Sequence, residues 1–460
     1  MGNKKNAWLK FDDTKKEEIF SFCEGYKKYI SDCKTERESI KEAIYLAESK
    51  GYRDLKNVIS AGKSLKAGDK VYYNNMDKSL ALFLIGSESI ESGMRIIGSH
   101  VDSPRLDLKP NPLYEDSELS LMETHYYGGV KKYQWVTIPL ALHGVVVKKD
   151  GTKIDVVVGE EETDPVVMVS DLLVHLASEQ QQKKATEVIA GEDLNILVGS
   201  MPLEGEEKEA VKANILKLLK EKYDFEEEDF MSAEIEIVPA GKARDLGLDR
   251  SMVAGYGHDD RICAYTSLLA LLETESVKKT SVVLLVDKEE VGSIGATGMQ
   301  SRFFENAVAE LMDRVGEYSE LKLRRALANS KMLSSDVTAA FDPNYAGAYE
   351  KKNSAFFGKG LAFAKYTGAR GKSGCNDANA EFVAWLRNVM DENDVAYQMA
   401  ELGKVDQGGG GTIAYILAEY GMEVIDCGVA LQNMHAPWEV ASKVDIFETM
   451  RGYKAFLMAE

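Results

Sequence analysis

Continuous apolar runs and alternating ones give this chain two textures. Residues 14–52 (TKKEEIFSFCEGYKKYISDCKTERESIKEAIYLAESKGY) read as helices, and ALFLIG (81–86) and MRIIGSH (94–100) then read as short strands. From about Pro110 the pattern changes: WVTIPLALHGVVVKKDGTKIDVVVG (135–159) holds two strand-like runs joined by Lys149-Asp150-Gly151, a hairpin signal. AEIEIVPA (233–240) alternates like a half-exposed strand. After Gly257 long helical stretches return between continuously apolar ones: AYTSLLALLET, SVVLLVD, NAVAELMDRVGEY. Uninterrupted Val/Leu strands between helices predict a mostly parallel sheet covered on both faces. The fold class is therefore α/β, with one domain over residues 1–105 and 250–460 interrupted by a β-rich insert at 106–249.

At 460 residues the chain exceeds what one hydrophobic core fills, and 45% apolar composition suits ordinary globular domains. Five scattered cysteines form no C-x-x-C pair, and a reducing cytoplasm is the simplest context. The first residues, MGNKKNAWLKFDD, carry neither a secretory h-region nor a myristoylation signal. No apolar stretch approaches the roughly 20 residues that span a bilayer, so no membrane association is expected. Asp and Glu number 75 against 56 Lys and Arg, and the net charge of −19 argues against nucleic acid as a partner. Much of that charge lies in residues 204–230, which read as a solvated helix with its flanks.

In open α/β sheets ligands collect beyond the carboxyl ends of the strands, so the polar residues following each apolar run carry the information. His100 and Asp102 follow RIIGS; Asp259 and Asp260 precede a helix; Glu289 and Glu290 follow VVLLVD; Asp336 and His435 end two further segments. Imidazoles and carboxylates without thiolates fit divalent cations, zinc first and then manganese or cobalt. Each residue also has a local explanation: an N-cap for Asp259 or Asp260, a turn for Asp336, a core histidine for His435, solvated loop charges for the two glutamates. Five strand ends with the same chemistry favour the shared one. The loops GSIGATG (292–298) and DQGGGGT (406–412) would suit an anion, but neither matches a nucleotide-binding pattern, and close backbone approach to a substrate is the better use.

Taken together, SHVDSPRLDLKP, HDDRICAY, DKEEVGSIGATG, SSDVTAAFDPNY, DQGGGGT and MHAPWE resemble the aspartyl aminopeptidase/aminopeptidase I family of dinuclear zinc exopeptidases, in order from about residue 95 to the end. The resemblance implies a zinc-peptidase domain interrupted by an oligomerisation domain, assembly into a homo-oligomer, usually a dodecamer, and release of N-terminal residues from peptides. It implies two divalent ions per subunit, bridged by Asp259, with His100 and Asp336 on one and Glu290 and His435 on the other. Asp102 would orient His100, and Glu289 would be the general base, the two adjacent carboxylates diverging by strand alternation. Gly410, Gly411 and Thr412 fall in the family's pocket loop, Lys365 and Arg370 in KYTGARGKSG are candidates for substrate contact, and His175 matches a histidine extended into a neighbouring subunit's site. The acidic-specific branch carries a Thr-Pro-Cys-Gly-Thr-like loop where this chain has Asp406–Thr412. Neutral or hydrophobic first residues are thus expected alongside acidic ones.

Overall fold

Strand Ser281–Val286 is buried along its whole length because two different helical layers take its two faces. Val283 and Leu285 pack with Ala264, Leu268, Phe447 and Phe456, while Val282, Leu284 and Val286 pack with Phe304, Val308 and Leu311. With a side-chain period of two, burial on both faces needs an unbroken apolar run, which is what residues 282–286 supply. The structure, a computed structural model, describes residues 5–368 and 370–460.

The chain forms two compact units. The first contains the chain up to Asp102, Ala243–Met434 and Glu439–Glu460; the second contains Ser103–Lys242 and His435–Trp438. These divisions fall at 102/103 and 242/243, where the sequence alone suggested 105/106 and 249/250.

In the first unit a nine-stranded sheet runs in the order Arg53–Asp54, Lys70–Asn75, Ser79–Leu84, Ser281–Val286, Arg95–His100, Lys331–Ser335, Glu423–Gly428, Leu361–Ala364, Tyr397–Met399. The four strands from Ser281–Val286 to Glu423–Gly428 are mutually parallel, so their carboxyl ends share one edge. Helices His258–Leu272 and Lys443–Met458 supply one covering layer; Phe303–Val315 and Glu320–Ala328 supply the other. The N-terminal helical stretch is two helices, Asp13–Asp32 and Glu36–Ser49, separated by a Thr35/Glu38 capping box. A smaller five-stranded sheet includes Arg244–Leu246, which places those residues with the first unit.

The second unit is built on a seven-stranded antiparallel sheet, and its hairpin turns where Lys149-Asp150-Gly151 signals it: Gly151 has φ +87° and Asp150 caps Thr152 N–H at 2.9 Å. Strand Ala233–Pro239 departs from its expected half-exposure, being buried from Ile235 onward. Its charged member Glu236 is accommodated by Arg105, 3.2 Å away, so alternation of polarity here marks a buried ion pair and not a wet face. The acidic segment holds the helix Ala210–Tyr223, which is solvated mainly over its last turns, at Lys217, Leu218, Lys220, Glu221 and Lys222, while Val211 and Asn214 are buried. No helix among the described residues is long and apolar enough to cross a membrane.

Candidate active site

Parallel pairing aligns the carboxyl ends of three neighbouring strands, and each end delivers a ligating side chain or its loop. Arg95–His100 ends on His100, in register with Val286; Ser281–Val286 leads through Asp287 to Glu289 and Glu290; Lys331–Ser335 leads to Asp336. Opposite them, Asp259 and Asp260 open helix His258–Leu272 with non-helical backbone (ψ 106° and 22°). The neighbouring Arg261 holds that irregular entry: its buried guanidinium donates to the carbonyls of Gly257, Tyr256 and Cys33 at 3.1, 2.8 and 2.6 Å.

His100 is the centre of the cluster. Its Nε2 lies 3.2 Å from Asp259 Oδ1 and 3.8 Å from both Glu289 Oε2 and Asp336 Oδ1. Its Nδ1 faces Asp102, 2.9 Å from the carbonyl oxygen and 3.3 Å from Oδ1. The Asp102 carboxylate in turn accepts the backbone N–H groups of Glu289 and Glu290, each at 3.2 Å. One buried side chain therefore positions both the imidazole and the glutamate pair.

The two glutamates do not diverge by strand alternation. The strand ends before them, Lys288 turns left-handed (φ +68°), and Glu289–Val291 is one turn of 3₁₀ helix closed by Gly292 (φ +94°). Successive side chains in such a turn are rotated by about a third of a revolution, which separates the carboxylates as strand alternation was expected to do.

Electrostatics define what this constellation lacks. Burial opposes a charged His100, yet hydrogen bonds to Asp102 and Asp259 and the charges of Glu289 and Asp260 outweigh it and raise its pKa well above the usual value. Burial pushes Asp260 and Asp336 well above the carboxylate range, reinforced by their acidic neighbours. Crowded carboxylates that can ionise together only with a counter-charge are a cation site in chemical terms. Donor atoms of His100, Asp260 and Asp336, and separately those of His100, Glu289 and Glu290, lie within 4.8 Å of one another. The nitrogen and oxygen donor set fits a hard or borderline divalent ion.

Two further carboxylates support the cluster: Asp260, which the sequence offers as a candidate without assigning it a role, and Glu439, which it does not single out. Asp260 accepts the His100 N–H at 3.3 Å, and its carboxyl also meets the Cys263 thiol. Glu439 accepts the Asp259 N–H at 3.0 Å and is itself buried. Glu439 closes the MHAPWE motif, which is the signal that could have pointed to it. His435 belongs to the second unit, where its Nδ1 lies 2.9 Å from the Gly129 carbonyl in a left-handed backbone position (φ +65°).

The proposed substrate contacts are spread more widely. Lys365 pairs with Asp377 at 2.9 Å, an acid it shares with Lys372 at 2.8 Å. Arg370 is exposed and lines, with Gly408 and Gly409, a cavity of about 50 Å³. Gly410 accepts the Gly368 N–H at 2.9 Å, Gly411 is open, and the Thr412 hydroxyl donates to Asp426 at 2.5 Å. In the second unit His175 is exposed, flanked by exposed Val174 and Leu176.

The model of the aminopeptidase I zinc metalloproteases (M18) matches residues 29–457. A Clostridium acetobutylicum protein described as a probable M18 family aminopeptidase 1 is 66% identical over 454 residues, covering 98% of each chain. The crystal structure of an M18 aminopeptidase from Thermotoga maritima superposes with a TM-score of 0.95 at 45% identity, covering 99% of each chain. A yeast structure, the S. cerevisiae mApe1 dodecamer, shares the fold with a TM-score of 0.77 at 20% identity, over 95% of this chain and 96% of that one. The chain belongs to the peptidase M18 family, the aminopeptidase I zinc metalloproteases.

Proposed function

We propose that the cluster around His100 is a dinuclear centre hydrolysing the first peptide bond of peptides with a free N-terminus. His100, Asp259, Glu290, Asp336 and His435 would hold two divalent ions, zinc first and manganese or cobalt as substitutes, with Asp259 shared between them. The observation that carries this reading is His100 Nε2 standing within 3.8 Å of the carboxylates of Asp259, Glu289 and Asp336. The inclusion of His435 and the bridging role of Asp259 rest on the MHAPWE and HDDR motifs and their likeness to the family.

When bound, the ions supply Lewis acidity and a water acidic enough to attack near neutral pH. Glu289 accepts the proton at a carboxylate oxygen and returns it to the departing amine. Asp102 keeps that carboxylate at its working position by holding the Glu289 N–H, and it keeps His100 in one ring orientation through Nδ1.

Neutral or hydrophobic first residues fit the pocket loop at least as well as acidic ones, because Lys365 already has Asp377 as its counter-charge. Arg370 is the group that would meet an acidic side chain. The inserted unit, residues 103–242, serves as the oligomerisation domain of a homo-oligomer, with the dodecamer as the expected assembly and His175 reaching a neighbour's site. Support for that role comes from exposed Leu172, Leu173, Val174 and Leu176 around His175, an apolar cluster that calls for cover. Five free cysteines, four of them buried, are compatible with a cytoplasmic protein.

The test strips the metal with a chelator, then assays a panel of aminoacyl chromogenic substrates before and after zinc, manganese or cobalt is restored. Metal-dependent release of the first residue is the expected outcome. No hydrolysis of any substrate, with metal content far below two per chain, would overturn the reading.

A further inference from the structure

Asp426 is a buried acid that the hydrolytic cycle does not use. It lies in strand Glu423–Gly428, opposite Ser334 on the strand leading to Asp336, and is 3% exposed. An isolated carboxyl in such a place costs stability unless it is bonded. Its Oδ1 accepts the hydroxyl of Thr412 at 2.5 Å, and the Ser334 hydroxyl on the facing strand also supports the carboxylate. The Thr412 oxygen also accepts the Ala414 N–H at 3.3 Å, tying the end of the glycine loop to the helix that follows.

The rest of that loop has no side chains to hold it. At Gly408 a Cβ would come within 1.7 Å of the Leu402 carbonyl, so the loop is pressed against its own incoming backbone there. Gly410 is held through the Gly368 N–H at 2.9 Å, and Gly411 has open space where a side chain would stand. Thr412 is thus the loop's one side-chain anchor between Gly408 and Ile413, and Asp426 is what it grips.

The grip is referenced to the chemistry by a short path. One residue after Asp426, the Cys427 carbonyl accepts the Asp336 N–H at 2.9 Å. One residue further, a Cβ on Gly428 would sit 2.1 Å from the Asp336 carbonyl oxygen, so the backbones approach as closely as they can. A single rigid strand therefore fixes the glycine loop by a side chain and Asp336 by its backbone.

We propose that Asp426 is a positioning residue for substrate selection: through Thr412 it fixes the glycine loop relative to Asp336, and so sets which first residue the enzyme accepts. The proposal rests on the reading that residues 408–412 border the pocket for the first residue.

The experiment compares the metal-loaded wild-type enzyme with Asp426→Asn, which keeps an oxygen acceptor for Thr412, Asp426→Leu, which removes it, and Thr412→Val, which removes the donor. kcat and KM are measured for a small neutral, a large hydrophobic and an acidic aminoacyl substrate, and hydrogen exchange is followed in the peptide spanning 400–417. In Asp426→Leu and Thr412→Val the ratios of kcat/KM among the substrates shift by about tenfold or more, carried mainly by KM, the scale on which pocket shape discriminates. Loop amides exchange faster in the same two variants, and Asp426→Asn stays close to wild type in both readouts. Unchanged exchange in Thr412→Val would overturn the proposal. So would faster exchange with all substrates losing kcat/KM by one common factor, which is what a purely structural anchor gives. If Asp426→Leu fails to fold, Thr412→Val, whose volume is conserved, still decides. A wild-type enzyme that releases no first residue would instead refute the aminopeptidase reading itself, before any variant is made.

Discussion

Asp102 accepts the backbone N–H of Glu289 through Oδ1 at 3.2 Å, and the same oxygen lies 3.3 Å from His100 Nδ1. Replacing it with alanine leaves a buried imidazole N–H without its carboxylate and releases the 3₁₀ turn that carries Glu289 and Glu290. Removing such supporting partners commonly costs about 10–100-fold in metal affinity or activity. Asp102→Ala should show both: less metal retained after dialysis, by elemental analysis, and a lower kcat when metal is supplied in excess. Full retention of both would mean that Asp102 does not position this centre.

Glu289→Gln separates the proton carrier from the ligands. The amide keeps the size of the side chain and, with Asp102 untouched, the geometry of the turn, but it accepts no proton. Turnover should fall by about 10²–10⁴-fold, the usual contribution of a positioned acid–base group, with metal content per chain unchanged. An active variant would move the base assignment to another carboxylate.

How far the sequence leads depends on the kind of interaction. The parallel core is legible because burial on both faces leaves the continuous apolar signature of residues 282–286, and His100 and Asp336 are legible because they sit directly beyond such strands. The 3₁₀ turn at Glu289 is not, since Lys288 adopts a left-handed conformation that lysine seldom signals. Glu236 reads as a wet position because alternation cannot distinguish solvent from a buried partner such as Arg105. Asp260 and Glu439 act on backbone N–H groups of residues 160 and 180 positions away, and no local pattern encodes such pairings.

Asp445 should make stability depend on pH in a direction unlike that of most carboxylates. Burial pushes its pKa up to about 7, although the N–H groups of Gly358 and Gly360, each 2.7 Å away, favour the ionised form. Unfolded, it loses its proton near pH 4, whereas in the folded protein it keeps the proton until about pH 7. Between those values the folded state binds more protons, so this group's contribution to stability falls as pH rises. Asp445→Asn removes the titration while retaining an oxygen acceptor. Its urea midpoint relative to wild type should therefore improve from pH 4 to pH 7 and level off above. A constant difference across that range would show that Asp445 ionises normally.

Gly428→Ala tests how Asp336 is held. The added Cβ would lie 2.1 Å from the Asp336 carbonyl oxygen and 2.9 Å from Cys263 Sγ, and the first of these is backbone that cannot swing aside. The strand must shift, breaking the 2.9 Å bond from the Asp336 N–H to the Cys427 carbonyl. Overpacking of this kind costs about 1–3 kcal/mol, small enough for a well-packed α/β core to survive. The folded variant should lower metal content and kcat together, because the displaced group is the backbone of a proposed ligand. Cooperative unfolding with only a reduced Tm and wild-type metal content would show that Asp336 reaches its place independently of Gly428, and that the close approach of the two strands serves packing alone.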